Sequence, residues 1–129
     1  MTPLLFLSMS VAGGLGGVAR FTLDKFISTR TSSSTPWGTF FINLSGSLLL
    51  GLLTGLTISQ TLSSQFQIII GTGFLGGYTT FSTASCDAVF LVRQSESRIA
   101  AAYAFGTLTL STVLAVLGLW LGSVPSIGN

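Results

Sequence analysis

No charged side chain occurs between residues 31 and 86, and none occurs from residue 99 to the carboxyl end. A water-facing fold has no use for runs of that length, because a soluble domain carries roughly a quarter charged residues. Here 6% of the 129 residues are charged and 48% are hydrophobic. The chain therefore reads as a membrane protein. In hydrocarbon every backbone polar group must find its partner internally, which favours helices, and a bilayer core about 30 Å thick takes roughly 20 residues at about 1.5 Å each. Residues 3–27, 37–58, 66–92 and 99–121 meet that length. The expected fold is a single all-α membrane domain, residues 1–129, with four transmembrane helices.

The connections support those limits. Ser28 to Pro36 is a polar loop, Trp37 suits the headgroup level, and residues 93–98 form a short charged turn. The stretch before Pro3 lacks a positive region, so the first apolar segment reads as a retained span and not a cleaved signal. The tail, residues 123–129, is expected to be disordered. With four spans, the first and third loops share one side, and that side holds Lys25, Arg30, Arg93 and Arg98. The opposite side, with both termini and the second loop, holds no lysine or arginine. The positive-inside rule then puts the chain in the plasma membrane with both termini extracytoplasmic, in one orientation only.

Other functions have little to stand on. Five basic and three acidic residues are too sparse for a nucleic-acid surface. One cysteine, Cys86, and no histidine exclude an intrachain disulfide and a zinc-type cluster. No nucleophile with a base, acid pair or phosphate loop is present, so the chain does not read as an enzyme. Small residues four apart (Gly13 and Gly17; Ser47, Gly51 and Gly55; Gly73 and Gly77; Gly118 and Gly122) indicate close helix crossings and say nothing of transport.

The third span is different. Residues 73–85 place Gly76 and Gly77 beside a cluster of hydroxyl-bearing residues at membrane depth. Paired glycines followed by threonines favour a break near mid-membrane, tolerated only inside protein or at a cavity, where freed carbonyls can coordinate a cation. A plain close crossing, with hydroxyls bonded back to the preceding turn, is the competing explanation. Asn43 lies inside the second span, and Tyr103, Thr107 and Ser111 form a stripe on the fourth. All can donate hydrogen bonds to an anion, although each alone is an ordinary interhelical contact. Arg20 lies deepest in a span of any charge. It either snorkels to the helix end or makes an electropositive vestibule.

The segment Gly73 to Ser85, Arg20 near the end of the first span, the Trp37-Gly38-Thr39 entry followed by Asn43, and the four-span length together resemble the Fluc (CrcB) family of bacterial fluoride channels. The likeness runs from Ala12 to Gly122. It implies an antiparallel dimer with two narrow fluoride pores along the interface and a structural sodium ion (Na+) at its centre. It assigns the main-chain carbonyls of Gly76 and Thr79 to sodium, and Asn43, Phe81, Thr107 and Ser111 to the fluoride pathway, with Arg20 in the vestibule. The implied role is passive fluoride export and fluoride resistance.

One position departs from the pattern. Where the family has a second phenylalanine three residues after the first, this chain has Ala84. A symmetric homodimer would then have two impaired pores, and an antiparallel homodimer also needs a chain that inserts both ways, against the charge bias. The expected partner is an oppositely oriented paralogue. A non-conducting structural subunit and a small dimeric multidrug cation exporter are the alternatives.

Overall fold

The computed structural model describes residues 1–124, and the expectation for the tail beyond them lies outside the described residues. Everything regular in it is helical: α1 (Pro3–Arg30), α2 (Trp37–Ile58), α3 (residues 64–78), α4 (Phe81–Arg93) and α5 (Ser97–Ser123). The 28, 22 and 27 residues of α1, α2 and α5 give lengths of about 42, 33 and 40 Å. These three are long and apolar enough to cross a bilayer.

Local chemistry sets the ends. Thr2 caps α1 by accepting from the Leu5 N–H at 3.2 Å, with Pro3 in the first turn, where its missing N–H costs nothing. Arg30 closes the same helix and lies over the Phe26 ring at 4.4 Å. Beyond α2, Gln60 takes a left-handed φ of 61°, and between α4 and α5 Ser95 takes 63°. The ends are tied in pairs: Ser34 Oγ donates to Glu96 Oε2 at 2.9 Å, joining the first and third loops, and Ser59 Oγ donates to the Gly122 carbonyl at 3.1 Å.

The most extensive contact is α2 against α5. It is as close as backbones allow, since a Cβ at Gly51 would strike the Ala115 carbonyl and one at Gly118 the Leu48 carbonyl. Such glycine seams replace the hydrophobic effect as the adhesive in lipid. Between α1 and α3 the close crossing also takes in Gly16, outside the spacing-four stripe. Gly13 and Gly17 leave ordinary clearance, while Gly16 sits hard against the Phe74 carbonyl and Gly77 against the carbonyl of Gly13.

The third hydrophobic segment is not one regular helix. After a first turn capped by Ser63, residues Gln67–Leu75 wind as wide i→i+5 turns, and a final α-turn, Gly76–Tyr78, ends α3. Such turns leave a helix locally under-bonded and commonly mark functional positions. Thr79 (φ −80°, ψ 155°) and Thr80 (φ −150°, ψ 125°) are extended, and α4 starts afresh at Phe81. From sequence the break is expected across residues 76–79, where paired glycines meet threonines. Both glycines are helical, and the chain departs from the helix at the threonines that follow.

Candidate functional site

The extended pair exists because Thr80 has partners outside the helix. In a continued helix its N–H would donate to the Gly76 carbonyl. Instead it donates to Asn43 Oδ1 at 2.8 Å, while Asn43 Nδ2 donates to the Thr80 carbonyl at 2.8 Å. The last helical N–H to reach back is that of Thr79, onto the Leu75 carbonyl at 2.9 Å. Thr80 then caps α4, its Oγ1 accepting from the Thr83 N–H at 3.2 Å. The new helix start carries a partial positive charge.

Two cavities meet at Thr80. The larger, about 450 Å³, is a groove between α4 and α5 whose walls include Asn43, Phe81, Ala84, Tyr103, Thr107 and Ser111. The smaller, about 250 Å³, is lined by Arg20, Phe21, Asp24, Thr39, Ile42, Thr80 and Thr83. The groove thus brings together Asn43, Phe81, Thr107 and Ser111, the four pathway residues of the resemblance, and Arg20 occupies the neighbouring chamber. Of the two carbonyl positions, Thr79 borders the groove. Gly76 is exposed on this subunit, and a Cβ there would meet nothing within 4 Å.

The hydroxyls divide sharply. Those of Ser8, Ser10, Thr54, Thr57, Ser85 and Thr112 donate to the carbonyl four residues back, at 2.7–2.9 Å. Thr107 and Ser111 do not, although a carbonyl lies one turn behind each. Their Oγ atoms and the Tyr103 hydroxyl are buried without a partner. A buried hydroxyl normally finds one, so Thr107 and Ser111, one turn apart on one groove wall, hold hydrogen-bonding capacity in reserve, while the Tyr103 hydroxyl has Thr39 and Asp87 beside it.

Arg20 does not snorkel free of the protein. It is half-buried, its Nη1 donates to Thr83 Oγ1 at 3.4 Å, and its Nε is buried and unpartnered. Thr83 in turn accepts from Thr80 Oγ1 at 3.2 Å, so a guanidinium–hydroxyl chain runs from the chamber to the break. Phe81 borders the groove with 87% of its surface exposed, which leaves the groove open along one side of this chain. Ala84 packs against the cluster of Leu91, Ala100 and Tyr103 on the opposite wall.

From sequence Tyr103 is a possible donor in the stripe with Thr107 and Ser111, whereas Thr80 and Asp87 carry no assigned role. Tyr103 was legible from its spacing to Thr107. Thr80 was not, because its part depends on Asn43, far away in the chain. Asp87 stands beside Thr39 and Tyr103 with Oδ2 buried and unpartnered.

The family model described as "CrcB-like protein, Camphor Resistance (CrcB)" matches residues 7–119. Among curated relatives, the fluoride-specific ion channel FluC 1 of Leifsonia xyli is 48% identical over 124 residues, which cover 96% of this chain and 90% of that protein. The fluoride-specific ion channel FluC 2 of Cutibacterium acnes is 43% identical over 121 residues, covering 93% and 98%. The fluoride-specific ion channel FluC of Thermus thermophilus is 37% identical over 117 residues, covering 91% and 92%.

Proposed function

Because this chain belongs to the CrcB family, a family of ion channels and not of enzymes, we propose that it is a fluoride channel subunit that conducts the ion passively along the α4–α5 groove. The observation that carries the reading is the pair of buried, unpartnered hydroxyls on Thr107 and Ser111. Fluoride is small and strongly hydrated, so a pathway must offer several donors at once, and none so strong that the ion cannot leave. Neutral hydroxyls meet both demands. Phe81 adds a ring edge, the positive side of an aromatic quadrupole, and the start of α4 adds a partial positive charge. Arg20, set back in its own chamber, raises the local anion concentration without trapping the ion. An inside-negative potential then drives fluoride outward, with about 2.3 kcal/mol per charge per 100 mV.

In this reading α3 and α4 together form one crossing, so the chain spans the membrane four times with its break near the midplane and both termini outside. The open lip at Phe81 calls for a second surface, supplied by an antiparallel partner. The carbonyls of Gly76 and Thr79 suit a structural sodium ion, being hard oxygen donors. The first has lost its helical donor to Asn43 and the second belongs to an extended residue. The same pair from the partner would complete the set, and the ion would hold the two breaks together by neutralising carbonyl dipoles that face one another. The one-sided charge and Ala84 support a paralogous partner of opposite orientation, and relatives numbered 1 and 2 accord with chains that occur in pairs. Ala84 also favours a second reading, in which this subunit only scaffolds the partner's pore.

The Thr107→Val variant tests the pathway. It removes an orphan hydroxyl at constant shape, so the assembly should be as stable as the native one or up to about 1 kcal/mol more stable. Fluoride efflux from liposomes should nonetheless fall about tenfold or more, because a hydrogen bond to an ion is worth about 1.5–3 kcal/mol. Undiminished efflux removes Thr107 from the pathway, and the same result with Ser111→Ala as well removes the groove wall.

A further inference from the structure

Asn43 looks from sequence like a donor to the passing anion, but its carboxamide is largely committed elsewhere. The group has two N–H donors and one carbonyl oxygen. The oxygen accepts the Thr80 N–H and one N–H serves the Thr80 carbonyl, both at 2.8 Å. Thr80, with φ −150° and ψ 125°, is in strand conformation, so the side chain of α2 plays the part of a neighbouring strand for a single residue. Asn43 is 9% exposed, so a lost partner leaves a largely buried carboxamide unsatisfied. Thr80 borders both the Arg20 chamber and the groove, so the residue held by the clamp is the wall between them.

The geometry points to Asn43 as a positioning residue that creates the break and sets the wall between chamber and groove, acting on the ion through Thr80 and the start of α4. The inference about flux rests on the fluoride reading above; the clamp does not. Without the clamp, the N–H of Thr80 has one obvious alternative, the Gly76 carbonyl, and taking it would continue the helix through residues 79 and 80. That change would turn Phe81 about the axis and away from the groove. A simple donor at position 43 would not have this effect, so the two roles separate cleanly.

Amide hydrogen exchange, read by nuclear magnetic resonance in detergent micelles, distinguishes them. In the native protein the two Nδ2 protons of Asn43 exchange at different rates, the one held by the Thr80 carbonyl more slowly; equal, fast exchange of both overturns the clamp. In Asn43→Ser, which keeps a donor hydroxyl but cannot reach both Thr80 groups, exchange at the Thr80 N–H changes by on the order of tenfold or more, and fluoride efflux falls with it. Asn43→Ala behaves the same way. Unchanged exchange at Thr80 in these variants overturns the clamp, and altered exchange with native efflux overturns the positioning role. A native protein that passes no fluoride but shows the unequal Asn43 protons leaves the clamp standing and removes the channel reading instead.

Discussion

Replacing Phe81 with isoleucine reduces fluoride efflux from liposomes bearing the assembled complex to the level of protein-free vesicles, while the complex still assembles. The side chain is 87% exposed in this chain and lines the groove, so its loss leaves no cavity in the fold and little stability is at stake. What disappears is the ring that α4 contributes to the groove, with Ala84 and no second phenylalanine one turn on. Isoleucine has a similar bulk but no quadrupole, and so cannot present a positive edge to a partly dehydrated anion. Each 1.4 kcal/mol added to the crossing barrier costs about tenfold in rate. Efflux at the native rate would remove Phe81 from the pathway.

The second large effect concerns assembly. Expressed and purified without a paralogue, the chain is expected to give no fluoride-conducting dimer. Its cationic ends, Lys25 and Arg30 in the last turns of α1, Arg93 at the end of α4 and Arg98 at the start of α5, flank loops joined by the Ser34–Glu96 bond. All four thus lie at one end of the molecule, a bias that favours insertion one way. An antiparallel pair of identical chains would need half of them inverted. Co-expression with a paralogue whose loop charges are reversed should restore a stable, conducting pair. A conducting dimer of this chain alone would end the obligate-partner proposal.

How much of this was legible from the residues varies by position. The limits of α2 could be read directly, because Pro36, Trp37 and the polar linker after Ile58 are local signals, and the helix runs Trp37–Ile58. The helices on either side extend a turn or less beyond their apolar cores, α1 to Arg30 and α5 from Ser97, since a charged residue at the headgroups continues a helix without cost. The break was harder. Gly76 and Gly77 make a helix easy to leave, but where it is left depends on where the backbone finds another partner, and that partner is Asn43, held on α2. The wide turns of Gln67–Leu75 have no local signature either.

The same limit applies to the hydroxyls. In sequence Thr107, Ser111 and Thr112 are alike, and any of them could bond to the turn before. Only the packed chain shows that Thr112 does so, at 2.7 Å to Leu108, while Thr107 and Ser111 do not. Composition reveals that donors are available, and geometry reveals which are unspent. The glycine stripes behave similarly: their spacing announces close crossings, and on α1 the hard contacts take in Gly16 as well as the Gly13 carbonyl.

The central claim is that an anion moves through this protein by exchanging water for neutral donors, with no coupling to another ion. It is tested most directly by loading liposomes that carry the assembled complex with potassium fluoride or potassium chloride and following each anion with a selective electrode after a potassium ionophore is added, with and without an imposed proton gradient. The account predicts rapid fluoride loss, unaltered by the proton gradient, and retention of chloride. Fluoride retained as in bare vesicles, or released only in proportion to the proton gradient, would contradict it.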